Sequence, residues 1–396
     1  VRPGLICPER CRNTAGIKIL PERFFLRVYS FNNYYIGTAN KKYVKHAVTE
    51  LKRIDQDLKV IDRFPDGIFT FRLGCYREVF LYNLKTSPPI FLRHVNPIDK
   101  LFFIPQESEA PQLAALALTS LSDRIKAGKR ISVQARRVSG EYDHTLFTFK
   151  KLLDPLIEKE HFGIPTVKRP DQIISVFVTD STEIDYMQSA TCSVEGCPDE
   201  YSQPWKAICL MGISTPQENL CQWSGGQVRF AKEEEQASRA EFKLLEAFEV
   251  FAIEPAPSGS ALDLGSSPGG WARILSQKGY QVTAVDRAPL DKDVQALPGV
   301  RFIKRDAQHF RDNPDTYDII TNDMNRDPVQ SAKILASLAP ALRKGCPFVM
   351  TIKLMGNDPE KTIQGVRKIL DASLQVRSIR QLFHNRDEVT LWGIRQ

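Results

Sequence analysis

The run Ala261-Leu262-Asp263-Leu264-Gly265-Ser266-Ser267-Pro268-Gly269-Gly270-Trp271 joins a short apolar segment to an amphipathic one through a turn dense in glycine and proline. Such a turn lets backbone N–H groups approach a ligand closely at the start of a helix. Four charged residues elsewhere, Lys243, Asp323, Lys353 and Glu388, supply two ammonium groups and two carboxylates, a set able to hold or move a proton. Two further acids, Asp286 and Asp306, each follow an apolar stretch and could accept hydrogen bonds from ligand hydroxyl or amino groups.

For these residues to act together, the chain must bring them to one place. From 261 onward, apolar β-rich runs alternate with helical patterns. Strands are expected at 261–265, 282–286, 301–304, 317–322 and 348–353, and helices at 270–278, 329–343 and 360–372. That alternation implies βαβ units and an α/β, Rossmann-like domain with a mostly parallel seven-stranded sheet. Two last strands, 375–383 and 388–394, are joined by the short turn His384-Asn385-Arg386-Asp387, so one strand should run antiparallel. Ligands of open α/β sheets bind at the carboxyl ends of the parallel strands. Gly265, Asp286, Asp306, Asp323 and Lys353 all fall at or just past such ends. Glu388 opens the antiparallel strand at that same edge. Lys243, near the start of a helix at 242–252 that leads into the first strand, belongs there too.

The turn narrows the ligand. A dinucleotide site would read GxGxxG, with its second glycine against the pyrophosphate. Here that glycine is missing, and Gly265 is followed by Ser266-Ser267-Pro268-Gly269-Gly270. A nucleoside without phosphates needs no such cradle. Asp286, at the end of the second strand, suits a ribose diol, and Asp306 could accept from an adenine amino group. S-adenosylmethionine meets both conditions. Asp263, Gly265, Ser267, Pro268, Gly269, Gly270, Trp271, Asp286, Asp306 and Asp323 are the expected cofactor contacts. A dehydrogenase or a small-molecule methyltransferase are weaker alternatives.

The first half reads differently. A strand at 24–29, a helix at 41–54 and a strand at 67–73 suggest a small α+β unit. A helix at 112–126, a strand at 130–137, a helix at 145–159 and a strand at 173–179 suggest a second one. Residues 180–226 look irregular. The expected organisation is therefore 1–105 and 106–185 as two N-terminal units, 186–230 as a connector, and 231–396 as the α/β domain. At 396 residues, with net charge +7 and pI about 8.9, the chain suits a polyanionic partner. Arg136, Arg137, Lys150, Lys151, Lys168 and Arg169 are the candidate phosphate contacts. Eight cysteines without a CxxC spacing or a nearby histidine argue for reduced thiols in a cytoplasmic protein and against a metal site. No apolar run is long enough to span a bilayer.

Five ordered motifs carry a family resemblance. They are Ser238-Arg239-Ala240-Glu241-Phe242-Lys243-Leu244, the run from Asp263 to Trp271, Asn322-Asp323-Met324, Ile352-Lys353-Leu354 and Arg386-Asp387-Glu388-Val389-Thr390. Together they resemble the FtsJ-type RNA ribose 2′-O-methyltransferases. That family carries a Lys-Asp-Lys-Glu tetrad, matched here by Lys243, Asp323, Lys353 and Glu388. The stretches 243–251 and 382–390 are most similar to the bacterial branch that acts on a cytidine ribose of large-subunit ribosomal RNA. In that branch the domain is joined to a ferredoxin-like unit and a THUMP unit. The resemblance implies S-adenosylmethionine as methyl donor, RNA as partner and no metal. Another RNA such as tRNA, or a non-catalytic ribosome-assembly role with a vestigial domain, are the alternatives. Lys353 is then the expected base, with its pKa lowered by Lys243 and by partial desolvation while Asp323 pulls the other way. Asp323 is expected to orient Lys353, and Glu388 to orient Lys243 or the ribose.

Overall fold

A computed structural model describes residues 3–6, 26–105, 110–138, 146–161, 163–180, 205–230, 240–256, 258–356 and 358–396. The chain divides into two units, 1–227 and 228–396.

The first unit is organised by one sheet. Its strands are β1 (Pro3–Ile6), β2 (Leu26–Ala39), β3 (Lys59–Phe64), β4 (Ile68–Arg72), β5 (Leu92–Pro105), β6 (Arg130–Arg137), β7 (Ile164–Pro165), β8 (Gln172–Asp180) and β9 (Trp205–Ser214). Their order is β3-β4-β2-β5-β9-β8-β6-β7, with β1 on β2. The helices Ala110–Thr119 and Leu146–His161 pack through Leu113, Leu118, Phe149 and Leu153 on the face carrying Phe102, Val176 and Met211. Leu101, Phe103, Phe177 and Leu210 build a second core with Ile36, Phe64 and Ile68, as the two-residue side-chain period of a strand requires.

Two expectations change here. The connector at 186–230 is not wholly irregular, because β9 lies inside it and pairs antiparallel with both β5 and β8. β5, absent from the sequence reading, bridges what were expected as separate units at 1–105 and 106–185, since it pairs with β2 on one side and β9 on the other. Its buried Asn96 pairs with Ser175 at 3.0 Å. Its buried Asp99 accepts from Ile213 N at 2.7 Å and pairs with Arg124 and Arg77. These tertiary partners let a strand with polar residues and a proline sit mid-sheet. The expected strand at 24–29 is the start of the longer β2. The segment 181–204, and Cys7, Cys11, Cys192 and Cys197, lie outside the described residues. Cys75, Cys209, Cys221 and Cys346 are free thiols.

The second unit follows the sequence pattern closely. Its strands are β10 (Ser260–Leu264), β11 (Gln281–Asp286), β12 (Val300–Lys304), β13 (Ile319–Asn322), β14 (Pro347–Lys353), β15 (Leu374–Arg380) and β16 (Glu388–Arg395). The order is β12-β11-β10-β13-β14-β16-β15. The pairs β12–β11, β11–β10, β10–β13 and β13–β14 are parallel, while β16 runs antiparallel to β14 and β15. The helices Glu241–Val250 and Gly270–Gln277 cover one face, burying Leu244, Ala247, Trp271 and Leu275 against Ala261, Val282, Ala284, Ile319 and Val349. No helix among the described residues is long and apolar enough to cross a membrane.

Candidate active site

Sheet register brings the tetrad together. Lys353 closes β14 and lies opposite Glu388, the first residue of β16. Asp323 follows β13, and its N–H is tied to Leu264 O at 3.2 Å, at the end of β10. Lys243 comes from the first turn of the helix Glu241–Val250. That helix is anchored by two neighbours on the helix Gly270–Gln277. The Trp271 indole N–H donates to Ala240 O at 2.7 Å, and Arg273 pairs with the buried Glu241 at 2.9 Å. Removing one partner of such a buried pair leaves the other charge uncompensated, so Lys243 is held in place from behind.

The four groups form a closed ring of charge. Lys243 Nζ lies 3.3 Å from Asp323 Oδ2 and 2.5 Å from Glu388 Oε1. Lys353 Nζ lies 3.1 Å from Asp323 Oδ1 and also donates to Glu388 Oε2. Each ammonium therefore touches both carboxylates. The side chains are largely but not wholly buried, with Glu388 at 6% and Lys353 at 19% exposure, so a substrate atom can still reach the lysine. Thr351, two residues before Lys353 and on the same strand face, donates to Asp323 Oδ1 at 2.5 Å. The sequence reading missed it, although the two-residue period of β14 points to it.

The electrostatics correct one expectation. Burial does disfavour the Lys353 charge, but the carboxylates of Asp323 and Glu388 outweigh it, and the pKa of Lys353 is raised rather than lowered. Lys243 sits among the same acids, so its repulsion does not decide the balance. In this state Lys353 is an ammonium, and its use as a base requires something that shifts the balance back.

The glycine turn meets its geometric demands. Gly265 has φ +74°, and a Cβ there would fall 2.7 Å from Met324 Cα, so both conformation and space exclude a side chain. Asp286 braces the turn by accepting from Ser267 N at 3.0 Å and from Ala288 N at 2.9 Å. Ser267 Oγ donates to Pro289 O at 2.8 Å, and Pro268 O accepts from Asp291 N at 2.8 Å. Gly269, in the left-handed region, precedes the helix that Gly270 begins. Asp263 is buried and accepts from Thr321 Oγ1 at 2.8 Å. Its other oxygen and the neighbouring Ser266 hydroxyl are buried without a well-formed hydrogen bond. Burial pushes Asp263 up to about 6. Asp306 behaves oppositely: the Gln308 N–H it accepts, together with Arg326 at 2.8 Å, holds it below the usual carboxylate range.

Not every expected contact survives. Trp271 is buried, and its one polar atom is spent on Ala240, so it anchors a helix instead of facing a ligand. In the first unit, Arg136 reaches into the turn Ser224–Gly226, with Nη1 3.3 Å from Gly225 O, which commits it to the fold and not to a phosphate. Lys150 is paired with Asp154 on its own helix, while Lys151, Lys168 and Arg169 are exposed. Arg137, at the end of β6, is also solvent-facing and has an interaction of its own. Among the described residues, no group of three or more His, Cys, Asp or Glu could hold a metal ion.

Comparison with known proteins agrees with this geometry. Residues 236–384 match the model of the FtsJ-like methyltransferase family. The chain is 30% identical over 202 residues to ribosomal RNA large subunit methyltransferase M of Laribacter hongkongensis, covering 48% of this chain and 56% of that one. It is 31% identical over 192 residues to the protein of that name from Methylococcus capsulatus, covering 46% and 53%. The match thus spans about half the length of these curated relatives. The matched residues, 236–384, hold the glycine turn and all but the last member of the tetrad.

Proposed function

We propose that this protein transfers a methyl group from S-adenosylmethionine to a ribose 2′-hydroxyl of RNA, with ribosomal RNA of the large subunit as the substrate class. The observation that carries the reading is the ring formed by Lys243, Asp323, Lys353 and Glu388 at the carboxyl edge of the sheet, beside the glycine turn. A small-molecule methyltransferase would need the turn but not this ring. The names of the relatives from Laribacter hongkongensis and Methylococcus capsulatus support ribosomal RNA.

The residues fit the cofactor. Gly265 and Gly269 hold the turn at positive φ against Met324 and Val294, a conformation that presents the backbone of the turn. Asp286 keeps accepting capacity for a ribose diol, because each carboxylate oxygen has a second lone pair beyond the backbone N–H it receives. Asp263 and Ser266 place a buried carboxylate and a buried hydroxyl within the turn itself. Asp306 stands at the end of the third strand for an amino group, with Arg326 beside it. When bound, the cofactor supplies an activated methyl on a cationic sulfur.

The chain's own residues then have three tasks. Lys353 takes the proton of the 2′-hydroxyl, which is too weak a nucleophile while protonated. Asp323 and Glu388 orient Lys353 through Oδ1 and Oε2, and Lys243 balances the same two acids from the far side. The positive charge that the cofactor would supply near this ring would lower the pKa of Lys353 toward useful values. Exposed basic groups of the first unit, Lys151, Lys168 and Arg169 among them, are offered as phosphate contacts. Residues 1–105 and 106–185 are offered as ferredoxin-like and THUMP-like parts of one RNA-binding unit, and the cytoplasm as the site of action.

The test combines calorimetry with transfer of labelled methyl to total RNA. Lys353→Ala is expected to bind S-adenosylmethionine within about threefold of the unsubstituted protein and to lose transfer by about 10³-fold or more, the scale of losing a general base. Full turnover by that variant removes Lys353 from the reaction. No cofactor binding by the unsubstituted protein removes the proposal.

A further inference from the structure

One buried carboxylate close to the tetrad is used by none of the steps above. Glu246 lies one helical turn beyond Lys243 on the helix Glu241–Val250 and is buried. It spends its oxygens entirely on another part of the chain. Phe383 N donates to Oε1 at 2.7 Å, and His384 N donates to Oε2 at 2.9 Å. The imidazole Nδ1 of His384 also lies 2.7 Å from Oε2. An ionised carboxylate can only accept, so Nδ1 carries the hydrogen and donates. The ring is packed by Phe242 at 5.2 Å and Phe230 at 5.8 Å between centroids.

The turn so gripped leads directly to Glu388. Asn385 Oδ1 accepts from Leu382 N at 2.9 Å and from Thr390 Oγ1 at 3.1 Å, which ties the turn to β16. Gln381 Nε2 donates to Arg386 O at 3.0 Å across its base. A continuous set of hydrogen bonds therefore runs from the helix carrying Lys243 to the strand carrying Glu388. These two are the tetrad members that the parallel register does not place. Lys353 and Asp323 follow from the ends of β14 and β13, whereas Lys243 and Glu388 belong to a helix and to the antiparallel strand.

We propose that Glu246 and His384 are positioning residues for the methyl-transfer site, a clamp that sets the Lys243–Glu388 pairing. This deepens the function proposed above and rests on it for its catalytic consequence, though not for its structural one. The clamp acts by geometry: Glu246 fixes where the 382–387 turn meets the helix, and the Nδ1–H bond fixes the His384 ring so that Phe242, next to Lys243, packs in one way.

Two substitutions separate the hydrogen bond from the packing. His384→Phe keeps an aromatic ring but removes the Nδ1 donor. His384→Asn loses the ring but can present its amide N–H where Nδ1–H stood. The first readout needs no turnover: ¹⁵N-lysine side-chain spectra of the full chain, with each signal assigned by single Lys→Arg replacement. In His384→Phe and Glu246→Gln the Lys243 signal is expected to move toward that of a solvated lysine, while the Lys353 signal keeps its place. In His384→Asn the Lys243 signal is expected to stay. The second readout is kinetic. His384→Phe is expected to lower kcat about tenfold with the KM for S-adenosylmethionine unchanged, and His384→Asn to stay within about threefold. An unmoved Lys243 signal in both His384→Phe and Glu246→Gln overturns the clamp, as does a loss in His384→Asn equal to that in His384→Phe. If the unsubstituted protein transfers no methyl to RNA, the proposed function fails, and the spectra still decide the clamp.

Discussion

The two units solve the problem of buried polar groups in opposite ways. In 228–396 the central strands β10, β13 and β14 are short, mostly apolar runs, and charged residues gather at their carboxyl edge, where they meet in the tetrad beside the glycine turn. In 1–227 polar residues lie inside the strands. β5 buries His94, Asn96 and Asp99 in mid-sheet, and Asp99 is satisfied by Ile213 N, Arg77 and Arg124 from other elements. An interior polar group must be hydrogen-bonded. In one unit that requirement builds a reactive site, and in the other it fixes a strand.

Paired glycine substitutions give the largest contrast. A Cβ at Gly265 would meet Met324 Cα at 2.7 Å beside the turn, and a Cβ at Gly212 would meet Pro97 O at 2.0 Å between β9 and β5. Gly265→Val is expected to weaken S-adenosylmethionine binding by about 100-fold or more, read by calorimetry, since neither its φ nor its space admits a side chain. Gly212→Val is expected to leave cofactor affinity unchanged and to raise hydrogen exchange throughout β5 and β9, because overpacking costs about 1–3 kcal/mol or more. Equal loss of cofactor affinity in both would dissolve the contrast.

Buried aspartates sharpen it. Asp99→Ala removes the acid beside Arg124 and Ile213 N, while Arg77 keeps Glu218 at 3.9 Å, and is expected to destabilise 1–227 by about 2–3 kcal/mol in denaturant unfolding. Asp263→Asn has the opposite sign. The folded-state pKa of Asp263 is raised to about 6, so the native protein holds a proton that the unfolded chain releases at lower pH. Stability from this group is therefore intact below the usual carboxylate range and is lost as pH rises to about 6. Asp263→Asn should match the unsubstituted protein near pH 4 and exceed it at pH 7 by about 3 kcal/mol, about two pKa units at 1.36 kcal/mol each. Melting of both proteins across that window checks it. An Asn variant less stable than the original at pH 7 would show the carboxylate to be favourable.

The smallest effect concerns Lys353. Its pKa is raised by Asp323 and Glu388 against burial, so the neutral amine is scarce at pH 7, and kcat is expected to climb with pH through the alkaline range. Asp323→Asn and Glu388→Gln each remove one of the acids that hold the proton, and each should move that climb to lower pH while reducing its height. A flat profile contradicts the base role.

These contrasts explain what the sequence revealed. Parallel strands buried on both faces read as continuous apolar runs, so β10, β13 and β14 stand out, and counting to the ends of β13 and β14 puts Asp323 and Lys353 at one sheet edge. β5 carries Pro97 and buried polar residues, of which Asn96 and Asp99 have partners far along the chain, and no local pattern marks such a strand. β9 was hidden for a related reason, within a long stretch without periodicity. In the site, Thr351 was legible from strand alternation. Glu246 and His384 were not, because their importance lies in a cross-link between distant segments. The proton state of Lys353 was misjudged because it depends on two acids outweighing burial and one neighbouring cation, which only distances can decide.

The most direct measurement is the chemical position of the methyl group. RNA incubated with labelled S-adenosylmethionine and the protein would be digested to nucleosides and the label located. The account predicts label on the ribose 2′-oxygen and none with Lys353→Ala, although that variant still binds the cofactor. Label on a base, or equal labelling by Lys353→Ala, would contradict it.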